Sequence, residues 1–197
     1  MNIEKTIKNL KARHFDVSYF ETGAEAADYV CSQTEGSTVG IGGSKTVEAL
    51  GLYDRLTEKG NEVFWHWIVP GNETLQRAAF AKVYISSANA ITEDGEILNI
   101  DGRGNRVAGQ IFSHEKVYII AGVNKIEEDF EKALFRARNT AAVTNMKRFD
   151  MNTPCKLDNK CHDCRVPDHG CNVLSVLMSP MMGMKTEIIL INEELGY

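Results

Sequence analysis

Short apolar runs alternate with segments of helical periodicity from the start of the chain to Lys147. Val39-Gly40-Ile41, Val83–Ser87 and Lys116–Ala121 are runs of the kind that fill buried parallel strands, and Thr186–Asn192 is a further run near the end. Phe15–Phe20 alternates as a strand, and Glu62–Val69 reads as another, with Trp65 and Trp67 on one face and Phe64 and His66 on the other. Between them lie helical stretches: residues 2–13 on Ile3, Ile7 and Leu10, then a capping box at Thr22 and Glu25 leading through Ala26, Ala27 and Val30. Asn72 is expected to cap a short helix through Phe80. Glu127–Lys147 is expected to be the longest helix, with Phe130, Leu134, Ala137 and Ala141 on its buried face. The pattern predicts an α/β fold: one domain over residues 1–197, with a mainly parallel sheet covered by helices on both faces.

The net charge of −5 gives no hint of nucleic acid, and no basic run suggests a membrane surface. No apolar run approaches the roughly 20 residues of a membrane helix, and the charged opening MNIEKTIKNLKARHF lacks the apolar centre of a signal peptide. A cytoplasmic protein is the expectation.

Two loops carry candidate chemistry. The first is Gly42-Gly43-Ser44-Lys45-Thr46, between a buried strand and a helix start, where backbone N–H groups converge on an anion. It is neither GxGxxG nor GxxxxGK[ST], and an ordinary βα turn needing its glycines for tightness remains the alternative. The second is Ser87–Gln110, with a tight turn at Glu93-Asp94-Gly95, a short strand Glu96–Ile100, a polar turn over 101–106 and a short helix. Asn89, Glu93, Asp101, Asn105 and Arg106 are read as a ligand-facing wall, with Glu93 or Asp101 as catalytic base or nucleophile. His66 reads as a satisfied, half-buried imidazole. Met178, Met181, Met182 and Met184 read as residues packing a loop or helix against the core.

Four of the five cysteines, Cys155, Cys161, Cys164 and Cys171, lie in one cysteine-rich loop, 152–172, inserted before the last strand. In a reducing compartment their spacing, C-x5-C-x2-C-x6-C, favours metal or redox chemistry over disulfides. Four thiolates suit an iron–sulfur cluster or a zinc ion, and the spacing does not decide between them. His162 and His169 read as exposed polar residues, and Cys31 as a small core residue.

With these segments in view, the chain resembles the LUD-domain family, of the lactate utilisation protein C type, and through it the NagB/RpiA/CoA-transferase-like superfamily. The carrying residues are Gly40-Ile41-Gly42-Gly43-Ser44-Lys45-Thr46-Val47, Ala90–Gly95, Asn99–Arg106 and Val117–Lys125. Gly40–Ser44 resembles the GxGG loop of CoA transferases. Glu93-Asp94-Gly95 resembles their Glu-Asn-Gly turn, with Asp94 in the middle position. The resemblance implies an accessory or catalytic subunit in oxidation of lactate or a related organic acid, alongside iron–sulfur oxidoreductase subunits, and it moves iron–sulfur ahead of zinc. An alternative is a free-standing enzyme acting on a sugar phosphate or CoA ester through the glycine-rich loop and Glu93. Either reading implies a small anionic metabolite as ligand, and folds of this type often pair as homodimers.

Overall fold

The computed structural model describes residues 1–197. Helix α1 (Ile3–Ala12) starts at Asn2, whose side chain accepts the Lys5 N–H, and leads to β1 (Asp16–Phe20). α2 (Gly23–Gln33) opens with the capping box read from sequence, Thr22 and Glu25 each accepting the other's backbone N–H. β2 (Thr38–Ile41) follows, then α3 (Lys45–Ala49) and α4 (Leu52–Glu58), divided by Gly51 at φ +60°. The middle of the chain runs β3 (Glu62–Trp65), α5 (Asn72–Ala79), β4 (Val83–Ser87), β5 (Ala90–Thr92), β6 (Ile97–Asp101), α6 (Asn105–Ile111) and β7 (Lys116–Gly122). Then come β8 (Ile126–Glu127), α7 (Phe130–Arg136), a π-helical segment Ala137–Ala142, α8 (Val143–Met146), α9 (Cys155–Asp158), β9 (Val173–Leu177) and β10 (Lys185–Ile191). No helix is long and apolar enough to cross a membrane.

Six strands form a parallel sheet in the order β1-β10-β7-β4-β2-β3. Strand alternation divides its side chains between two cores. Ile120, Ile189 and Ile191 pack with Ala26 and Val30 of α2 and Leu52 and Leu56 of α4. Ile119, Ile188 and Leu190 pack on the other face with Leu10 of α1 and with Ile91, Ile97 and Leu177 of a second, four-stranded sheet, β8-β5-β6-β9. The α/β fold with a mainly parallel sheet between helices is therefore present. The small sheet, built on the β5–β6 hairpin with β9 antiparallel to β6, is an addition to it.

Four local expectations change. β3 ends at Trp65 because the N–H groups of Ile68 and Val69 both donate to the Trp65 carbonyl, so His66 and Trp67 leave the sheet in a turn. The long helix starts at Phe130, capped by Asp129, and passes through a π segment; Ala137 and Ala141 are buried as expected and Ala133 and Arg136 join them, while Phe130 is exposed. α5 follows Gly71 and has no side-chain cap. The methionine-rich stretch contains strand β9 and then exposes Met178 and Met182.

Gly40 is where β2 meets α5 most closely: a Cβ there would stand 2.4 Å from the Ala78 carbonyl oxygen. Gly40→Ala should therefore destabilise the fold by about 1–3 kcal/mol through forced displacement of backbone, read as a lowered urea midpoint.

Candidate functional site

β2 and β4 are neighbours in the sheet, yet the chain leaves β2 towards β3 on one side and β4 towards β7 on the other. At such a point the loops beyond the carboxyl ends of the strands diverge and leave a crevice. Here it is a cleft of about 750 Å³. Gly43–Thr46 enter it after β2, His66 and Trp67 after β3, Ser87–Asn89 after β4, and Lys125 after β7. The loop between β6 and α6 and the helix running into α8 complete the walls.

Lys125 forms the floor. It is only 3% exposed, and its Nζ donates to Thr46 Oγ1 (2.8 Å), Ser87 Oγ (2.9 Å) and the Ala88 carbonyl (3.1 Å). No carboxylate pairs with it. Burial pushes its pKa down to about 7, helped by the nearby Arg136 and Arg106 guanidinium groups. Arg136 is held by the carbonyls of Asn124 (2.9 Å) and Asn89 (2.7 Å), with Glu127 at 3.7 Å. A lysine poised near neutrality in a cleft is a candidate for anion binding or proton transfer.

Asn89, Asn105 and Arg106 all line the cleft with Ser44, Lys45 and Thr46. Their roles differ in kind. Ser44 Oγ caps α3 by accepting the Val47 N–H (3.2 Å), and α3 itself is a single short turn. The Asn89 side chain accepts the Ile100 N–H (2.7 Å), and Arg106 bonds Asn99 and the Ile100 carbonyl. Asp101 also lines the cleft, but its carboxylate accepts the N–H groups of Arg103, Arg106 and Val107. Its oxygens are thus taken up by the first turn of α6 and by the turn that leads into it. Gly42 lies behind the wall: a Cβ there would meet the Tyr84 hydroxyl at 2.9 Å and Arg106 Cγ at 3.0 Å. Gly43 lines the cleft, but a Cβ would strike the Trp67 indole nitrogen at 2.9 Å, so its bareness accommodates that ring.

Glu93 is a correction. The β5–β6 turn points to α1, where the Glu93 carboxylate meets Lys5 Nζ at 3.3 Å and its carbonyl accepts from Asn9. Burial opposes its ionisation, but Lys5, the Asn2 backbone and the N-terminal ammonium together hold the pKa low. It does not line the cleft, whereas Asp101, the other candidate base or nucleophile, does. His66 is also revised: it stands in the cleft wall, its pKa lowered by burial and then by Arg103.

Cys155, Cys161, Cys164 and Cys171 line one smaller cavity of about 250 Å³, beside Arg138. Cys171 is partly exposed to solvent, yet its thiol is pushed up to about 11, by burial first and then by proximity to the other three thiols. Cys155 packs with Val143 and Met146. No three His, Cys, Asp or Glu side chains are grouped as the ligands of a single ion. The histidines are otherwise engaged, His162 with Asp158 and His169 with the Val166 carbonyl. Ile100, Ala142, Cys171 and Asn172 line both this cavity and the main cleft, so the two share a wall.

Lys125, Ser87 and Trp67 were missed by pattern reading. The signal for Lys125 was present: an ionisable residue just past an apolar strand run, where parallel strands deliver functional groups. Trp67 was hidden by the apparent continuity of the strand from Glu62 to Val69.

The model of the LUD domain family matches residues 3–191. Among solved structures, the chain is similar to a DUF162 family protein from Deinococcus radiodurans, with a TM-score of 0.56 at 10% identity, covering 96% of this chain and 95% of that one. At that identity the likeness concerns the fold alone. Comparison with curated proteins gives no match.

The Lys125 environment makes a pH-dependent prediction. Its folded value, about 7, lies below the ordinary lysine value of 10.5. Between these values the unfolded chain holds more protons, so the native state gains stability as pH rises through that window; below it the buried ammonium weighs fully against folding. Lys125→Met should therefore be more stable than the parent at pH 6, by roughly 1–4 kcal/mol, with the gap narrowing by pH 9 in urea titrations.

Proposed function

The chain belongs to the LUD-domain family, and from that premise we propose that it is a subunit in the oxidation of lactate or a related organic acid, binding the acid in the main cleft beside a cluster held by the four cysteines. The observation that carries this reading is the shared wall: Cys171 and Asn172 face both the cleft and the four-thiol cavity. A redox centre must lie close to its substrate, and this arrangement puts the candidate ligand Cys171 at the boundary.

The small anionic metabolite is matched by the floor. The Thr46 and Ser87 hydroxyls accept from Lys125, which leaves their protons to be turned to a carboxylate, and Lys125 supplies charge that no carboxylate side chain balances. Asn89 and Asn105 offer orienting amides at the wall.

The donor set of the second cavity is all thiol, which suits iron–sulfur chemistry. The cavity has room for a group larger than one ion. Cys155, Cys161, Cys164 and Cys171 would hold the cluster, which when bound supplies one-electron transfer. The Arg138 guanidinium bonds towards Cys161 and places a positive charge beside the thiols. Further iron–sulfur subunits are the natural partners of such a chain, and pairing as a homodimer is compatible with this role.

Anaerobically purified protein should contain iron and acid-labile sulfide, with visible absorbance that Cys164→Ser abolishes. Loss of metal should loosen residues 152–172 in hydrogen exchange while the parallel sheet keeps its protection. Stoichiometric zinc without iron would refute the redox assignment. Absence of thermal stabilisation by lactate, pyruvate and related hydroxy acids would refute the substrate assignment.

A further inference from the structure

The main cleft is larger and more positive than a small organic acid requires. Its volume of about 750 Å³ lies in the range of sites that enclose drug-sized ligands, roughly 300–1,000 Å³. A three-carbon hydroxy acid at Lys125 leaves most of that space open.

The charge of the walls runs against the charge of the chain. The whole sequence carries a net −5. Yet Lys45, Arg103, Arg106, Lys125 and Arg148 line the cleft against one carboxylate, Asp101, which is itself taken up by three backbone N–H groups. A concave site of one sign focuses its field and draws ligands of the other. These cations stand at two depths. Lys125 is at the floor, while Arg103 and Arg148 are exposed at the mouth.

The mouth also carries a planar shelf. Trp67 stacks on Trp65 with ring centroids 5.5 Å apart and planes 20° from parallel. The Arg148 guanidinium lies 4.3 Å from the Trp67 ring centre, with Lys45 Nζ at 5.4 Å. Phe149, 42% exposed, adjoins Arg148 and lines the same cleft. A guanidinium fixed on an indole presents a flat, cationic surface on which a heteroaromatic ring stacks. The small-acid reading uses none of these groups.

We propose that the cleft takes, in addition to the small acid, a phosphate-bearing heteroaromatic ligand of nucleotide size, its ring against the Arg148–Trp67–Phe149 shelf and its phosphate among Arg103, Lys45 and the Gly43–Thr46 loop. This deepens the proposed function, because it rests on the same cleft being an anion site. It adds a second occupant at the mouth, where the small acid reaches neither Arg103 and Arg148 nor the aromatic shelf, and where Lys45, now paired with Glu48, can turn to a phosphate.

The test uses the full chain with ADP, FMN and coenzyme A as probes, and with adenosine and inorganic phosphate as controls lacking one half of the recognised chemistry. At least one probe should raise the melting temperature by several degrees and quench tryptophan emission, and should do so at lower concentration than either control. Arg148→Ala and Arg103→Ala, both at exposed positions, should each weaken binding about tenfold or more, and binding should weaken as salt rises. No stabilisation or quenching by any of the three probes at millimolar concentration overturns the inference, as does binding that both arginine variants leave unchanged. Lactate binding that survives such a failure leaves the proposed function standing. A phosphate-bearing probe that binds while lactate does not removes the small-acid reading and keeps this one.

Discussion

The site depends on the pairing of β2 with β4. Val39, Gly40 and Ile41 stand opposite Val83, Tyr84 and Ile85, and the ladder continues one step past the strand when the Gly42 N–H donates to the Ile85 carbonyl. The two chain segments then part, one towards β3 and the other towards β7. Backbone hydrogen bonding thus runs up to the lip of the cleft, and the residues just beyond it, Gly43–Thr46 and Ser87–Asn89, spring from rigid strands. Gly42 makes the divergence compact: Tyr84 and Arg106 close over the space where its side chain would be.

The edge of the sheet is also where the fold accepts electrostatic strain. Lys125 and Arg106 in the cleft lining and Arg136 beneath it lie close enough to repel, and neutral oxygens do most of the holding. Arg136 and Arg106 each retain a carboxylate at long range, Glu127 at 3.7 Å and Asp101 at 4.0 Å. Lys125 has none. Hydroxyl and carbonyl dipoles satisfy its hydrogen bonds without cancelling its charge, and a dry lysine in that position shifts towards its neutral form. An incoming anion would reverse this by supplying the missing charge. Stability and ligand affinity therefore pull on the same amine in opposite directions.

The cysteine loop is tied to this edge by backbone. The Asn172 N–H donates to the Asp101 carbonyl, Asn172 Nδ2 donates to the Gly102 carbonyl, and Gly102 leaves room for the Gly170 carbonyl, 2.7 Å from where a Cβ would stand. The loop after β6 thereby fixes Cys171 at the cleft wall. On the opposite side, the π segment of the long helix brings Ala142 to the same wall and Arg138 to the thiols. A wider helical turn redirects side chains along one helix, which is how a single element serves two adjoining cavities.

Local pattern was enough to determine the parallel sheet, the helices over both faces, the capping box at Thr22 and the turns of Ser87–Gln110, because each is written in residues close together in the chain. The convergence of Thr46, Asn89, Asn105 and Arg106 was also legible, since loops after neighbouring parallel strands meet at one edge. The direction of Glu93 was not: the pull of Lys5, far off in sequence, decides which way its turn faces. Asp101 was legible as a polar residue beside the site, but its satisfaction by three N–H groups appears only once α6 is placed. Lys125 is the sharpest case. In sequence it is one lysine among many; its chemistry comes from burial, from two arginines on other elements and from the lack of a carboxylate, and burial and charge proximity are properties of the folded chain alone.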